Sequence, residues 1–182
     1  MDVTFRRAGE RRYAVIVQAG EGAAQVMDPA PGFDAHIPHD LVHYVVEAEL
    51  GLTTGVFGRA ARGGGTFVAV GSTDQSARER ARARRKQQRR EASLRSVDEQ
   101  RHDDLVTSER LAAVSDLFWR RRQGQVPDAT RPAPSSALSR EDAERVERVV
   151  ARLEELAPLW NQLPVGGELV FTWPSAVPRV AG

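Results

Sequence analysis

Residues Phe33–Leu52 read FDAHIPHDLVHYVVEAELGL, and they predict a helix at the centre of the protein. Pro38 suits a first helical turn, where its missing N–H has no partner to lose. Asp40 near that end complements the helix dipole. Gly51 is placed to stop the helix, because glycine adopts the left-handed conformation that closes a last turn. Between them Leu41, Val42, Val45, Val46 and Leu50 recur at about 100° per residue and cover a broad arc. An arc that wide predicts a helix that is mostly buried. Glu49 falls between Val42 and Val45 on the same wheel, so its carboxylate needs a partner or a raised pKa.

His39, His43 and Glu47 are spaced i, i+4, i+8, which stacks them in one stripe along the edge of the apolar arc. Two neutral imidazoles and a carboxylate one turn apart are the ligand types of a zinc-type divalent metal site. His36, just before Pro38, is a further candidate ligand from the loop, and Asp34 is a nearby oxygen donor. The spacing of the two imidazoles resembles the HExxH helix of zinc hydrolases, but Asp40 stands where that motif has its glutamate. In a metal-dependent hydrolase built here, His39, His43 and either His36 or Glu47 hold the metal, which activates a bound water. Glu47, Glu49 or Asp40 then serves as base. The same stripe more readily suits a structural polar seam, with His43 on Glu47 and His39 capping or contacting a neighbouring strand, and catalysis without a metal is a third reading. No complementary ligand cluster exists elsewhere in the sequence. A full site would have to be built from residues 34–49 or shared across a homodimer.

Upstream, Val3–Arg7 alternates apolar and polar side chains, and Tyr13–Gln18 (YAVIVQ) is β-branched, aromatic and continuous. With Ala24–Met27 these predict a short antiparallel meander. Asp28–Gly32 (DPAPG) follows as an extended loop, since each proline biases the residue before it away from helix. Downstream, the glycine-rich residues 53–65 predict a flexible loop, in which Arg59 and Arg62 beside glycines suit an anion. Thr66–Val70 predicts a fourth strand. Leu111, Val114, Leu117 and Phe118 place an amphipathic helix over 105–119, and residues 125–137 form a Pro/Ser linker. Ser139 with Asp142 three residues on resembles a capping box. Val146, Val149, Val150, Leu153, Leu156 and Trp160 follow at helical spacing, with Pro158 expected to kink or end the helix. Glu168–Trp173 predicts a last strand, and the tail beyond Pro174 is expected to fray.

The fold class predicted is α+β, a small antiparallel sheet of about four to five strands packed by the central helix and a C-terminal helix. Residues 1–71 carry the meander and central helix, and 72–122 an Arg-rich then an amphipathic helix. Residues 123–138 form the linker, and 139–182 complete the same domain.

Residues 76–95 are different in kind. Nine cations, among them Arg78, Arg82, Arg85, Lys86, Arg89 and Arg90, stand against Glu79 and Glu91, in a chain whose net charge is only +1. Apart from alanines and Leu94 the segment has no apolar residue, so as a helix it has no face to bury and is expected to project. It suits an acidic partner, either a protein surface or a nucleic-acid backbone, and it equally allows a solvated face balanced within the protein, for which Asp98, Glu99, Asp103, Asp104 and Glu109 are the candidates. Interleaved aromatics for base stacking are absent, as is an apolar face for entering a membrane surface. Cysteine is absent, which excludes thiolate chemistry and disulfides. No signal-type segment opens the sequence, so a cytoplasmic location is expected. Two function classes follow. One is a binding module that meets an acidic partner through 78–95, and the alternative is the metal-dependent hydrolase.

Overall fold

The computed structural model describes residues 1–20, 22–64, 67–69, 102–125 and 138–181. The basic segment and most of the linker lie outside them. The elements are β1 (Asp2–Gly9), β2 (Arg12–Gln18), β3 (Gln25–Met27), α1 (His39–Leu50), α2 (Val56–Ala61), β4 (Val68–Ala69), α3 (His102–Arg122), α4 (Arg140–Gln162), β5 (Glu168–Thr172) and β6 (Pro178–Ala181). The strands form one antiparallel sheet in the order β4-β3-β2-β1-β5-β6. The fold is α+β, as the patterning predicts.

Alternation along the strands sets the layers. Val3 and Phe5 of β1, Tyr13, Val15 and Val17 of β2, and Leu169 and Phe171 of β5 are all buried, on the helix-covered face of the sheet. The register places Arg6 of β1 opposite Glu168 of β5 on the other face, where the two side chains pair at 2.6 Å. Non-local pairing of β5 with β1 joins the C-terminal segment to the N-terminal meander in a single sheet. α1 touches α2, α3 and α4, and Leu41 through Glu47 are buried without a break. A helix enclosed on all sides fits its broad apolar arc. Phe5 meets Phe171 and Tyr44 edge-on, with ring centres 5.8 Å and 5.9 Å apart. That is the arrangement ring quadrupoles favour.

The helix ends follow from local chemistry. Gly51 is left-handed at φ 65° and closes α1, with the Leu52 amide donating to the Glu47 carbonyl. The Ser139 hydroxyl accepts from the Asp142 amide at 3.1 Å and opens α4. Ser139→Ala is expected to cost about 1 kcal/mol in urea unfolding, the usual loss of an N-cap acceptor. An unchanged midpoint would show that this cap contributes nothing.

Three expectations are corrected. Residues 56–61 of the expected flexible loop form α2, for a reason given below. α4 does not end at Pro158 but continues to Gln162, because Val149, Val150, Leu153, Leu156 and Trp160 hold it on the core. Burial of that stripe on both sides of the proline outweighs one missing hydrogen bond. The tail turns back as β6 and pairs with β5, which adds an edge strand in place of a frayed end.

Candidate functional site

α1 carries the candidate residues. His39 lies on its exposed first turn and His43 one turn on, 6% exposed. Their ring centres are 4.6 Å apart, with the planes inclined at 58°. The sequence therefore brings the two imidazoles together as its spacing predicts. Burial first, and the neighbouring His39 second, pull the His43 pKa down to about 4. At neutral pH this imidazole carries no charge. Its Nε2 lies 3.9 Å from Glu109 Oε2 on α3, which is then a contact between a neutral ring and a carboxylate, not an ion pair. The other nitrogen, Nδ1, is buried without a hydrogen-bond partner.

Glu47 does not join them. Its fully buried carboxylate accepts from the amides of Val56 (2.7 Å), Phe57 (2.9 Å) and Gly58 (3.2 Å), the first turn of α2. Those N–H groups have no acceptor within their own helix, and an anion complements that end of the dipole. This is why α2 forms where glycines predict a loop. Burial raises the Glu47 pKa to about 7, against the opposing pull of the three amides and the Ser108 hydroxyl. For Glu47 to reach a metal beside His43 it would have to abandon all three amides. Among the described residues no group of three or more His, Asp or Glu side chains is placed to hold a metal ion.

The remaining candidates also have internal roles. Glu49, the carboxylate misplaced on the apolar arc, accepts from Arg152 Nε of α4 at 3.2 Å. Asp34 accepts from the His36 amide and from Arg120 Nη2, both at 2.8 Å. Burial of Asp34 is outweighed by these bonds, which hold its pKa below the usual carboxylate value. The His36 carbonyl accepts from Asn161 at 3.0 Å, while its side chain is exposed and faces a cavity against α3 and α4.

Asp40 meets the Tyr13 hydroxyl through Oδ2 at 2.6 Å, and that hydroxyl also lies 2.5 Å from the Pro31 carbonyl oxygen. A phenol has one proton to donate. That proton is shared between the Asp40 and Pro31 oxygens, towards both of which the hydroxyl donates. Burial raises the Asp40 pKa against the opposing pull of the Tyr13 hydroxyl. The arginines at 78–95, candidates for an acidic partner, lie outside the described residues.

Sequence reasoning misses Glu109, the Tyr13–Asp40 pairing and the capping role of Glu47. Only the last leaves a signal, since the glycine at 55 allows a close approach to its carboxylate. Among the described residues no helix is long and apolar enough to cross a membrane. Comparison with protein-family models, with curated proteins and with solved structures finds no match to this chain.

Proposed function

We propose that the chain is a binding module that meets an acidic partner through Arg78–Arg95. The observation that carries this reading is the charge of residues 76–95, nine cations against two anions with nothing apolar to bury beyond alanines and Leu94. The described residues supply a contrast, with fifteen basic against eighteen acidic side chains. Many of their arginines are paired locally. Arg122 holds Glu147, Arg145 holds Glu141, and Arg110 holds Asp142. The carboxylates that an enzyme on α1 would use are occupied by α2, by Arg152 and by Tyr13, which supports a scaffold reading of that helix.

The partner chemistry is an extended anionic surface, because clustered guanidinium groups bind phosphate or carboxylate and release counterions. The test uses a labelled single-stranded oligonucleotide and a poly-glutamate peptide, each titrated across a range of salt. Binding is expected to weaken steeply with salt. Reversal of Arg82, Arg85 and Arg89 to Glu is expected to weaken it at least tenfold and to flatten the salt slope by roughly one for each phosphate no longer neutralised. Undiminished binding by the triple variant, or no binding to either polyanion at low salt, overturns the proposal. Preference between the two probes identifies the partner class.

A further inference from the structure

The C-terminal end of α3, the proline turn of α4 and the loop at His36 enclose a half-open cavity of about 150 Å³. That volume suits a ligand of about six non-hydrogen atoms, the size of one small ring. Its lining is rich in N–H donors. Trp119 borders it and is only 2% exposed, yet its indole N–H has no hydrogen-bond partner in the protein. Buried donors are nearly always satisfied, and the cavity is open space that this side chain borders. The Arg120 guanidinium lies over the indole, 5.5 Å from the ring centre, and helps to hold it in place.

Two side-chain amides add to this. Gln125 accepts from Arg120 Nη1 through Oε1 at 3.3 Å, which fixes the orientation of its amide and leaves both of its N–H groups to spare. Asn161 donates one N–H to the His36 carbonyl at 3.0 Å and keeps the second. Ala157 and Pro158 supply an apolar wall. The surrounding charge disfavours an anion. Arg120 is already balanced by Asp34 at 2.8 Å and by Asp116 at 3.0 Å. Glu154 is among the lining residues, and the C-terminal end of α3 carries partial negative charge. A cation, in turn, would bring N–H donors to donors.

We infer that this cavity binds a small neutral carbonyl compound, a cyclic amide or ketone of about six non-hydrogen atoms. Its oxygen accepts from the Trp119 indole and from the amides of Gln125 and Asn161, while its ring lies against Ala157 and Pro158. A buried donor left without an acceptor is costly, so a ligand that supplies one gains more than it would at an exposed N–H. A neutral oxygen supplies it without carrying a charge into this negative surrounding.

The experiment follows the indole and side-chain amide signals of Trp119, Gln125 and Asn161 by NMR in the full chain. The probe is 2-pyrrolidinone. Pyrrolidine, the same ring as a cation without the carbonyl, and butyrate, an anion of similar size, are the controls. Saturable shifts of the Trp119 indole signal are expected with the lactam, at a dissociation constant on the order of a millimolar, and not with either control. Trp119→Phe keeps an aromatic ring in the core but removes the N–H, and is expected to weaken binding about tenfold. Gln125→Glu keeps an acceptor for Arg120 while replacing the N–H donors by a carboxylate oxygen. It leaves the core untouched and is also expected to weaken binding about tenfold. The proposal is overturned if the lactam gives no saturable shift, as in a cavity that holds only water. It is equally overturned if pyrrolidine or butyrate saturates the signals as well as the lactam does, or if both variants bind as the wild type does.

Discussion

Gly55→Ala is expected to destabilise the protein by about 3 kcal/mol or more, and removal of the Glu47 side chain is expected to erase most of that cost. A Cβ at Gly55 would lie 2.2 Å from both Cδ and Oε1 of Glu47 and 2.6 Å from Oε2. No real contact is that short, so the carboxylate must move. It is pinned by the amides of Val56, Phe57 and Gly58, and moving it leaves buried donors without an acceptor. Each donor so stranded costs about 1–3 kcal/mol. Glu47→Ala alone is therefore also strongly destabilising. In that background the three closest contacts of the alanine at 55 are gone, and its added cost should fall below about 1 kcal/mol, a large coupling in a double-mutant cycle. Gly58→Ala is a contrast: its Cβ would meet the Thr53 backbone at 2.3 Å, a clash that removal of the Glu47 side chain does not relieve, although the Gly58 amide donates to that carboxylate. Additive costs for Gly55→Ala and Glu47→Ala in urea unfolding would show that the carboxylate is not what crowds residue 55.

This cap also marks where the sequence stops being legible. α1 is readable from Pro38 to Gly51, because its apolar spacing, its proline and its terminal glycine agree with one another. The meander and α4 are readable for the same reason. α2 is not. Six residues with alanines and a glycine carry no helical signal of their own, and the helix exists because a side chain nine residues upstream satisfies its amides. Periodicity cannot show such a long-range acceptor. The reading of Glu47 as a ligand fails at the same point. Its i+8 position relative to His39 places it on the right face of α1, but hydrogen-bond demand from α2 turns the carboxylate away from the imidazoles. β6 is hidden because a strand of Pro-Arg-Val-Ala has little pattern until β5 offers it an edge. Glu49 is legible in a different way. Its awkward place on the helical wheel calls for a partner, and Arg152 supplies one.

Two groups one turn apart on α1 should make the wild type nearly indifferent to pH between about 7 and 4.5, although each alone is strongly pH-sensitive. Burial lowers His43 to about 4 from the ordinary histidine value of 6.5. The unfolded chain then takes up the proton first, so stability falls as pH falls through that window. Burial raises Glu47 to about 7 from 4.5. Here the folded state takes up the proton first, so stability rises as pH falls from 7 towards 4.5. Each shift corresponds to roughly 3 kcal/mol, with opposite sign. Asp40, raised by burial, adds to the Glu47 side. Asp34 and Asp142, both held below the usual carboxylate value, act at lower pH, where their protonation destabilises the fold. Glu47→Gln removes one arm and should leave a protein that weakens on acidification. His43→Gln removes the other and should leave one that strengthens from pH 7 to 4.5. Both substitutions also change stability at a single pH, so the slope of unfolding free energy against pH is the quantity to compare. If both variants keep the wild-type slope, then neither group titrates with a shifted pKa. The imidazole and carboxylate of α1 would then not be buried as the structure has them.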